Sequence, residues 1–171
     1  IPTSSDNSVL SNWCILQRQS YKKGKLSQER VNKLEDISFI WNPEEENWNY
    51  FYQLLSVFYN KEGHSSPTQK DSSLGRWCSN QRQNYKNNKL SKDKIDLLEN
   101  IEFVWNLIDY QWNKSYKMLE KFYINEGHSH PAQGKSSLGE WCSKQRQNYK
   151  KGKLSKEKID LLENIEFIWE F

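Results

Sequence analysis

The chain has 171 residues, 35% hydrophobic, 14% aromatic and 27% charged, with a mean hydropathy of −1.01 and a formal charge of +3. So polar a chain supports several small cores built around large aromatic side chains, not one large core. No apolar run approaches the ~20 residues needed to span a bilayer, and so small a net charge argues for no particular partner.

The opening Ile1-Pro2-Thr3 is neither an initiator methionine nor a signal peptide, and it reads as a cut inside a longer protein. Trp13, Trp77 and Trp141 lie 64 residues apart, as do Trp41, Trp105 and Trp169. A fixed period of this kind marks one structural unit copied in tandem. The period predicts a partial repeat over 1–42 and full repeats over 43–106 and 107–171. The fold class is all-α: tandem three-helix modules with tryptophan-centred cores and a helix-turn-helix-like pair formed by helices two and three.

The partial repeat holds helices two and three only, so Trp13 and Leu34 lack the cover of a first helix. They are expected either to pack on the next module or to leave an apolar patch that promotes dimerisation; otherwise the array is expected to be a monomer. In the middle repeat, Trp48, Tyr52, Leu55, Phe58 and Tyr59 follow a 3.6-residue stripe, which predicts helix one. Gly63 stops it and Pro67 prevents its resumption. Helix two follows, with Ser73 as its expected cap and Leu74, Trp77, Cys78, Gln81 and Tyr85 on one face. Helix three opens at Ser91, a good N-cap residue, with Leu90 and Ile95 placed as a hydrophobic staple. Leu98, Ile101 and Phe103 close the core and Trp105 ends the unit. The last repeat copies this plan. Gln17, Gln81 and Gln145 point toward the core and are expected to be buried hydrogen-bonding residues.

Charge is polarised inside each unit. Residues 76–94 carry Arg76, Arg82, Lys86, Lys89, Lys92 and Lys94 against Asp93, whereas 95–109 carry only the acids Asp96, Glu99, Glu102 and Asp109. Lys86 and Lys150 at a helix C-terminus suit the macrodipole. Lys92 and Lys94, in the first turn of helix three, oppose it, which argues for an anionic partner. Between the two full repeats, 28 of 34 positions agree from 72 to 105 but only 12 of 24 from 48 to 71. The similar half retains polar residues that packing does not require. The candidate nucleic-acid contacts are therefore Arg18, Lys22 and Lys25, then Arg82, Gln83, Asn84, Lys86, Lys89 and Lys92, then Arg146, Gln147, Asn148, Lys150, Lys153 and Lys156. Arg and Lys hold phosphates, and Gln and Asn pair with adenine edges.

No catalytic constellation emerges. Gly134-Lys135-Ser136 resembles the end of a phosphate loop, but Gly127 lies seven residues before Gly134 where five are needed, and the middle repeat has Lys70-Asp71-Ser72 instead. His64 and His128 follow a helix-ending glycine with no recurrent nucleophile beside them, so a capping or packing role is expected. Cys14, Cys78 and Cys142 occur once per repeat, too few for a zinc site and unsuited to a disulfide framework. They read as small buried thiols in a reducing compartment. Neither metal nor cofactor is expected.

The ordered motifs Glu62-Gly63-His64-Ser65-x-Pro67, Leu74-Gly75-x-Trp77-x3-Gln81-Arg82-x2-Tyr85-Lys86, Lys89-Leu90-Ser91 and Leu98-Glu99-x-Ile101-x-Phe103-x-Trp105 resemble the helicase-associated domain. The last repeat carries the same set, and the resemblance covers nearly the whole chain. It implies a three-helix module found in tandem, appended to bacterial superfamily-2 helicases or free-standing, that binds nucleic acid. Any motor lies elsewhere in the parent protein. The family's glycine before the Phe near the end of helix three is replaced by Ser38, Glu102 and Glu166, so that helix end is expected to be built differently. Ser11 stands where the other repeats have Gly75 and Gly139.

The expected function is a non-catalytic nucleic-acid-binding array, accessory to a helicase or other DNA-processing protein. Duplex DNA is favoured over single strands because the aromatic residues are absorbed in cores. An intracellular location follows (cytoplasm or nucleoid, or the nucleus of a eukaryote), with no membrane partner. A protein-interaction scaffold is the alternative, since tandem helical repeats often serve that purpose.

Overall fold

The computed structural model describes residues 4–68, 72–132 and 136–170; Ile1-Pro2-Thr3, Lys70, Asp71, Gly134 and Lys135 lie outside them. Eight α-helices and no strand occur among the described residues: α1 Ser4–Lys22, α2 Gln28–Glu35, α3 Pro43–Glu62, α4 Ser73–Lys86, α5 Lys92–Glu99, α6 Leu107–Glu126, α7 Ser137–Lys150 and α8 Lys156–Glu163. The tandem three-helix plan holds, with α3–α5 and α6–α8 as complete sets and α1–α2 as the partial one. The chain forms two compact units, Ile1–Phe103 and Val104–Phe171. No described helix is long and apolar enough to cross a membrane.

Local chemistry accounts for the helix bounds. The Asn42 side chain accepts from Glu45 N at 3.2 Å, Pro43 takes the first helical position, and Glu44, Glu45 and Glu46 meet the positive end of the α3 dipole. Gly63 ends α3 at φ 70°, and Gly127 ends α6 at φ 72°, where a side chain would be strained. The cap of α4 is Ser72, one residue before the expected Ser73: its hydroxyl accepts from Gly75 N at 2.9 Å, and Ser136 does the same for Gly139 N. Ser73 has helical geometry, so its own carbonyl lies inside the first turn. Ser91 caps α5 by backbone position alone, without a side-chain bond.

In the 104–171 unit the core joins Trp112, Tyr116, Leu119, Cys142, Leu162, Ile165 and Phe167. Leu119 and Leu162 are fully buried, as are their counterparts Leu55 and Leu98 in the other unit. Gln145 accepts the Trp112 indole N–H at 2.9 Å, and Gln81 accepts that of Trp48 at 3.0 Å. Both glutamines are nearly inaccessible, as expected, and each satisfies a buried indole N–H.

The end of helix three corrects an expectation. Ser38, Glu102 and Glu166 adopt φ 55°, 49° and 53°, the left-handed conformation a glycine would take, so this end is not rebuilt. The turn is held because the next residue must return to the core: Phe103 N bonds Leu98 O at 3.0 Å and Phe167 N bonds Leu162 O at 3.1 Å. Burying a Phe is worth about 1.5–3 kcal/mol, against about 1–2 kcal/mol for a left-handed L-residue. The carbonyls of the strained residues are also claimed. The fully buried Ser65 donates to Glu102 O at 2.7 Å, and Ser129 donates to Glu166 O at 2.8 Å.

In the partial repeat Leu34 remains buried at 7% exposure, while Trp13 is 44% exposed. The expected loss of cover therefore spares Leu34 but reaches beyond α1: Ile37 is exposed, whereas its counterparts Ile101 and Ile165 are buried.

Candidate nucleic-acid interface

The predicted site residues divide into three groups. The arginines are half-buried. Arg18 Nε donates to Ile40 O at 2.9 Å and its guanidinium lies 4.9 Å from the Phe39 ring centre. Arg146 repeats this on Ile168 O at 2.8 Å and Phe167 at 5.0 Å, and Arg82 lies 5.0 Å over Phe103. Burial lowers the pKa of Arg82 and Arg146 from the ordinary value, opposed by the neighbouring thiols Cys78 and Cys142. One turn later, Tyr21 stacks on Trp41 at 4.0 Å and Tyr149 on Trp169 at 4.1 Å. Arg and Tyr on helix two thus clasp Phe and Trp of the segment that follows helix three. The signal was present as Arg-x2-Tyr matched by Phe-x-Trp, which recurs in all three repeats. Helical angle alone does not reveal a segment that folds back over the flank, so the contacts themselves were not legible in the sequence.

The second group is the turn between helices two and three. Lys22 and Lys25, Lys86 and Lys89, and Lys150 and Lys153 are all exposed. They bracket a left-handed residue, Gly24 at φ 63°, Asn88 at φ 54° and Gly152 at φ 61°. The same backbone bond closes each turn: Lys25 N to Ser20 O at 2.9 Å, Lys89 N to Asn84 O at 2.8 Å, and Lys153 N to Asn148 O at 2.9 Å. Three copies of one rigid turn thereby project two lysines each. Gln83 and Gln147 are exposed beside it, and Gln83 Nε2 donates to Asn87 Oδ1 at 3.2 Å.

The third group is the first turn of helix three, where the argument from the dipole fails. Lys92 pairs with Asp96 at 3.0 Å, and that bond raises its pKa. Lys94 reaches Glu45 at 2.8 Å while lying 4.9 Å from the Trp48 ring, and Lys158 reaches Asp109 at 2.6 Å, 5.3 Å from Trp112. These lysines oppose the dipole because carboxylates within the same fold hold them. Lys156 is exposed, beside Glu157, whose carboxyl is lowered by its own backbone N–H and the Ser155 hydroxyl.

One groove of about 700 Å³ in the 104–171 unit brings Asn148 and Lys153 together with Lys144, over a floor that includes Trp141. Arg146, Gln147 and Lys150 do not line it, since they occupy other flanks of α7. Lys144 does not recur, since Asn80 and Leu16 hold its place in the other repeats, and so repeat comparison could not single it out.

His64 and His128 pack against aromatic rings at the end of helix one. His64 Nδ1 accepts from Ser66 N at 3.2 Å, and its ring meets Phe58 edge-on at 5.3 Å. His128 meets Phe122 in the same way at 5.3 Å. Burial pushes the Cys78 and Cys142 thiols up to about 11, far from a reactive thiolate. No cluster of His, Cys, Asp or Glu suited to a metal ion occurs among the described residues.

A family model described as helicase associated domain matches residues 1–42, 45–106 and 109–170. No curated protein and no solved structure matches the chain.

Proposed function

Because this chain belongs to the helicase-associated domain family, we infer that it is a non-catalytic nucleic-acid-binding array, accessory to a helicase or other DNA-processing protein inside the cell. It engages the phosphate backbone of duplex DNA through the lysines of the helix-two to helix-three turns. The observation that carries this reading is the threefold recurrence of exposed lysine pairs on one backbone turn, at Lys22 and Lys25, Lys86 and Lys89, and Lys150 and Lys153. Lysines there answer the helix dipole, but the dipole does not require the second lysine of each pair, which lies beyond the helix end. Flexible ammonium groups on a rigid turn suit phosphates, which need charge more than directional fit. The groove of the third repeat adds Lys144 and Asn148 beside Lys153. Repetition adds affinity through effective concentration. Arg18, Arg82 and Arg146 each clasp the end of their own repeat, so the turn lysines are the primary contacts in this reading.

The test is duplex affinity at fixed low salt for Lys150→Gln with Lys153→Gln, against Lys117→Gln with Lys121→Gln on the exposed outer face of α6. The turn pair should weaken binding about tenfold or more, and each lysine withdrawn from a phosphate should lower the salt slope by about 0.9. The α6 pair should leave affinity within about twofold. Equal effects from both pairs would reduce the turns to ordinary solvated charge and sink the proposal.

A further inference from the structure

The groove of the last repeat is open at a place that the middle repeat fills. Trp48 and Trp77 meet at 5.7 Å and 59°, and Trp112 and Trp141 meet at 5.7 Å and 57°, so the two tryptophan pairs form the same scaffold. In the middle repeat Phe51 stacks on Trp77, with ring centres 5.8 Å and planes 16° apart, and Trp77 is buried at 7% exposure. The residue equivalent to Phe51 is Ser115, which lines the groove of about 700 Å³ beside Trp141. Trp141 is only partly buried. An indole that carries a phenyl ring in one repeat thus lacks one in the other, and the space beside it is open.

The chemistry around this seat also departs from the middle repeat. Lys144 stands where that repeat has Asn80, and Ile108, 78% exposed, stands where it has the acid Glu44. Lys144 and Lys153 are exposed and line the groove with Asn148, whereas Lys158 on its wall is held by Asp109 at 2.6 Å. Glu140, in place of Arg76, is the one carboxylate of the lining. An aromatic seat flanked by two exposed ammonium groups fits a ring that carries an anion, which is the make-up of a nucleotide. The amide of Asn148 and the carboxylate of Glu140 suit the edge of a base, with its donors and acceptors. Lys153 belongs both to this groove and to the lysine pair of the turn between α7 and α8, so a strand whose phosphates cross that turn reaches the seat.

We propose that this groove takes one unpaired nucleotide of a strand that leaves a duplex. The base stacks on the Trp141 indole, in the space that Phe51 fills in the middle repeat, and Lys144 and Lys153 hold the flanking phosphates. The proposal rests on the reading of the chain as a nucleic-acid binder, and it names the substrate of the last repeat as a junction between duplex and single strand. Trp141 is then the exception among aromatic side chains otherwise absorbed in cores. The seat of a phenyl ring matches the six-membered ring of a pyrimidine.

The experiment titrates the whole chain, at fixed low salt, into one labelled duplex that is blunt, carries a short thymine overhang, or carries an abasic overhang of the same length. The abasic strand keeps the phosphates and lacks the rings. The thymine overhang should bind about tenfold more tightly than the abasic one, as expected for a base on an aromatic face. Ser115→Phe in the chain gives the seat the ring of the middle repeat, and should bring the two overhangs within about twofold of each other. Equal binding of thymine and abasic overhangs by the wild-type chain overturns the proposal, while binding of the blunt duplex would leave the reading it rests on intact. A thymine preference that survives Ser115→Phe also overturns it, since the base then sits elsewhere. A blunt duplex that fails to bind, beside a thymine preference that Ser115→Phe removes, would overturn the duplex reading and uphold the groove. Binding of none of the forms overturns both and leaves the seat to an aromatic side chain of a protein partner.

Discussion

Replacing Glu166 by glycine should stabilise the protein, although it removes a side chain. Glu166 has φ 53° and is exposed, and its interactions with the fold run through its backbone: its N–H bonds Glu163 O at 2.9 Å and its carbonyl accepts from Ser129 at 2.8 Å. Glycine keeps both bonds. Left-handed geometry costs an L-residue about 1–2 kcal/mol, and the extra freedom of glycine in the unfolded chain returns about 0.5–1 kcal/mol of that. The net expectation is a gain of about 0.5–1 kcal/mol, or about 1–4 °C in melting temperature at this chain length. Removing an anion near a helix C-terminus acts in the same direction. Urea denaturation followed by tryptophan fluorescence reads the change, with Glu166→Ala as the control that retains the strain. A glycine variant no more stable than wild type, or an alanine variant as stable as the glycine one, would refute the claim that the repeated turn is strained at this residue.

Other expectations concern the core. Gln145→Leu removes the acceptor of a buried indole N–H and should destabilise by about 1–3 kcal/mol, read by the same urea titration. Arg146→Ala removes a guanidinium held against Phe167 and a bond to Ile168 O, and should cost about 1–2 kcal/mol of stability. Lys150→Ala, at an exposed position, should stay within about 0.5 kcal/mol. The raised folded-state values of Cys78 and Cys142, about 11 against an ordinary 9.0, mean that both thiols favour folding fully below pH 9. Their contribution falls as pH rises from 9 through 11, so urea midpoints should fall across that window and less so in Cys78→Ala with Cys142→Ala. At pH 8 a maleimide should label the partly exposed Cys14 well before the other two.

The fold was legible because its signals are local and repeated. Period, tryptophan spacing and stop glycines fixed the helix order, and Gln81 and Gln145 could be assigned to the core from their place on a helical face. The caps shifted by one residue because Ser72 and Ser73 are chemically identical and only backbone angles distinguish them. Contacts were not legible where a side chain's partner lies far along the sequence. Lys94 reaches Glu45 and Arg146 reaches Ile168, and neither pairing follows from helix periodicity. The left-handed Glu102 and Glu166 were misjudged for a related reason, since the buried Phe that enforces the turn outweighs the local preference for glycine. What survived as a candidate surface is the part made of short-range geometry, the lysine-bracketed turn.

The most direct measurement on the central claim is the anisotropy of labelled duplex DNA titrated with the whole chain at several salt concentrations. Six turn lysines contacting about six phosphates predict a log–log salt slope of about −5, with duplex bound more tightly than single strands of the same length. No binding at low salt, or a slope near zero, would contradict it and leave these lysines as solvated surface.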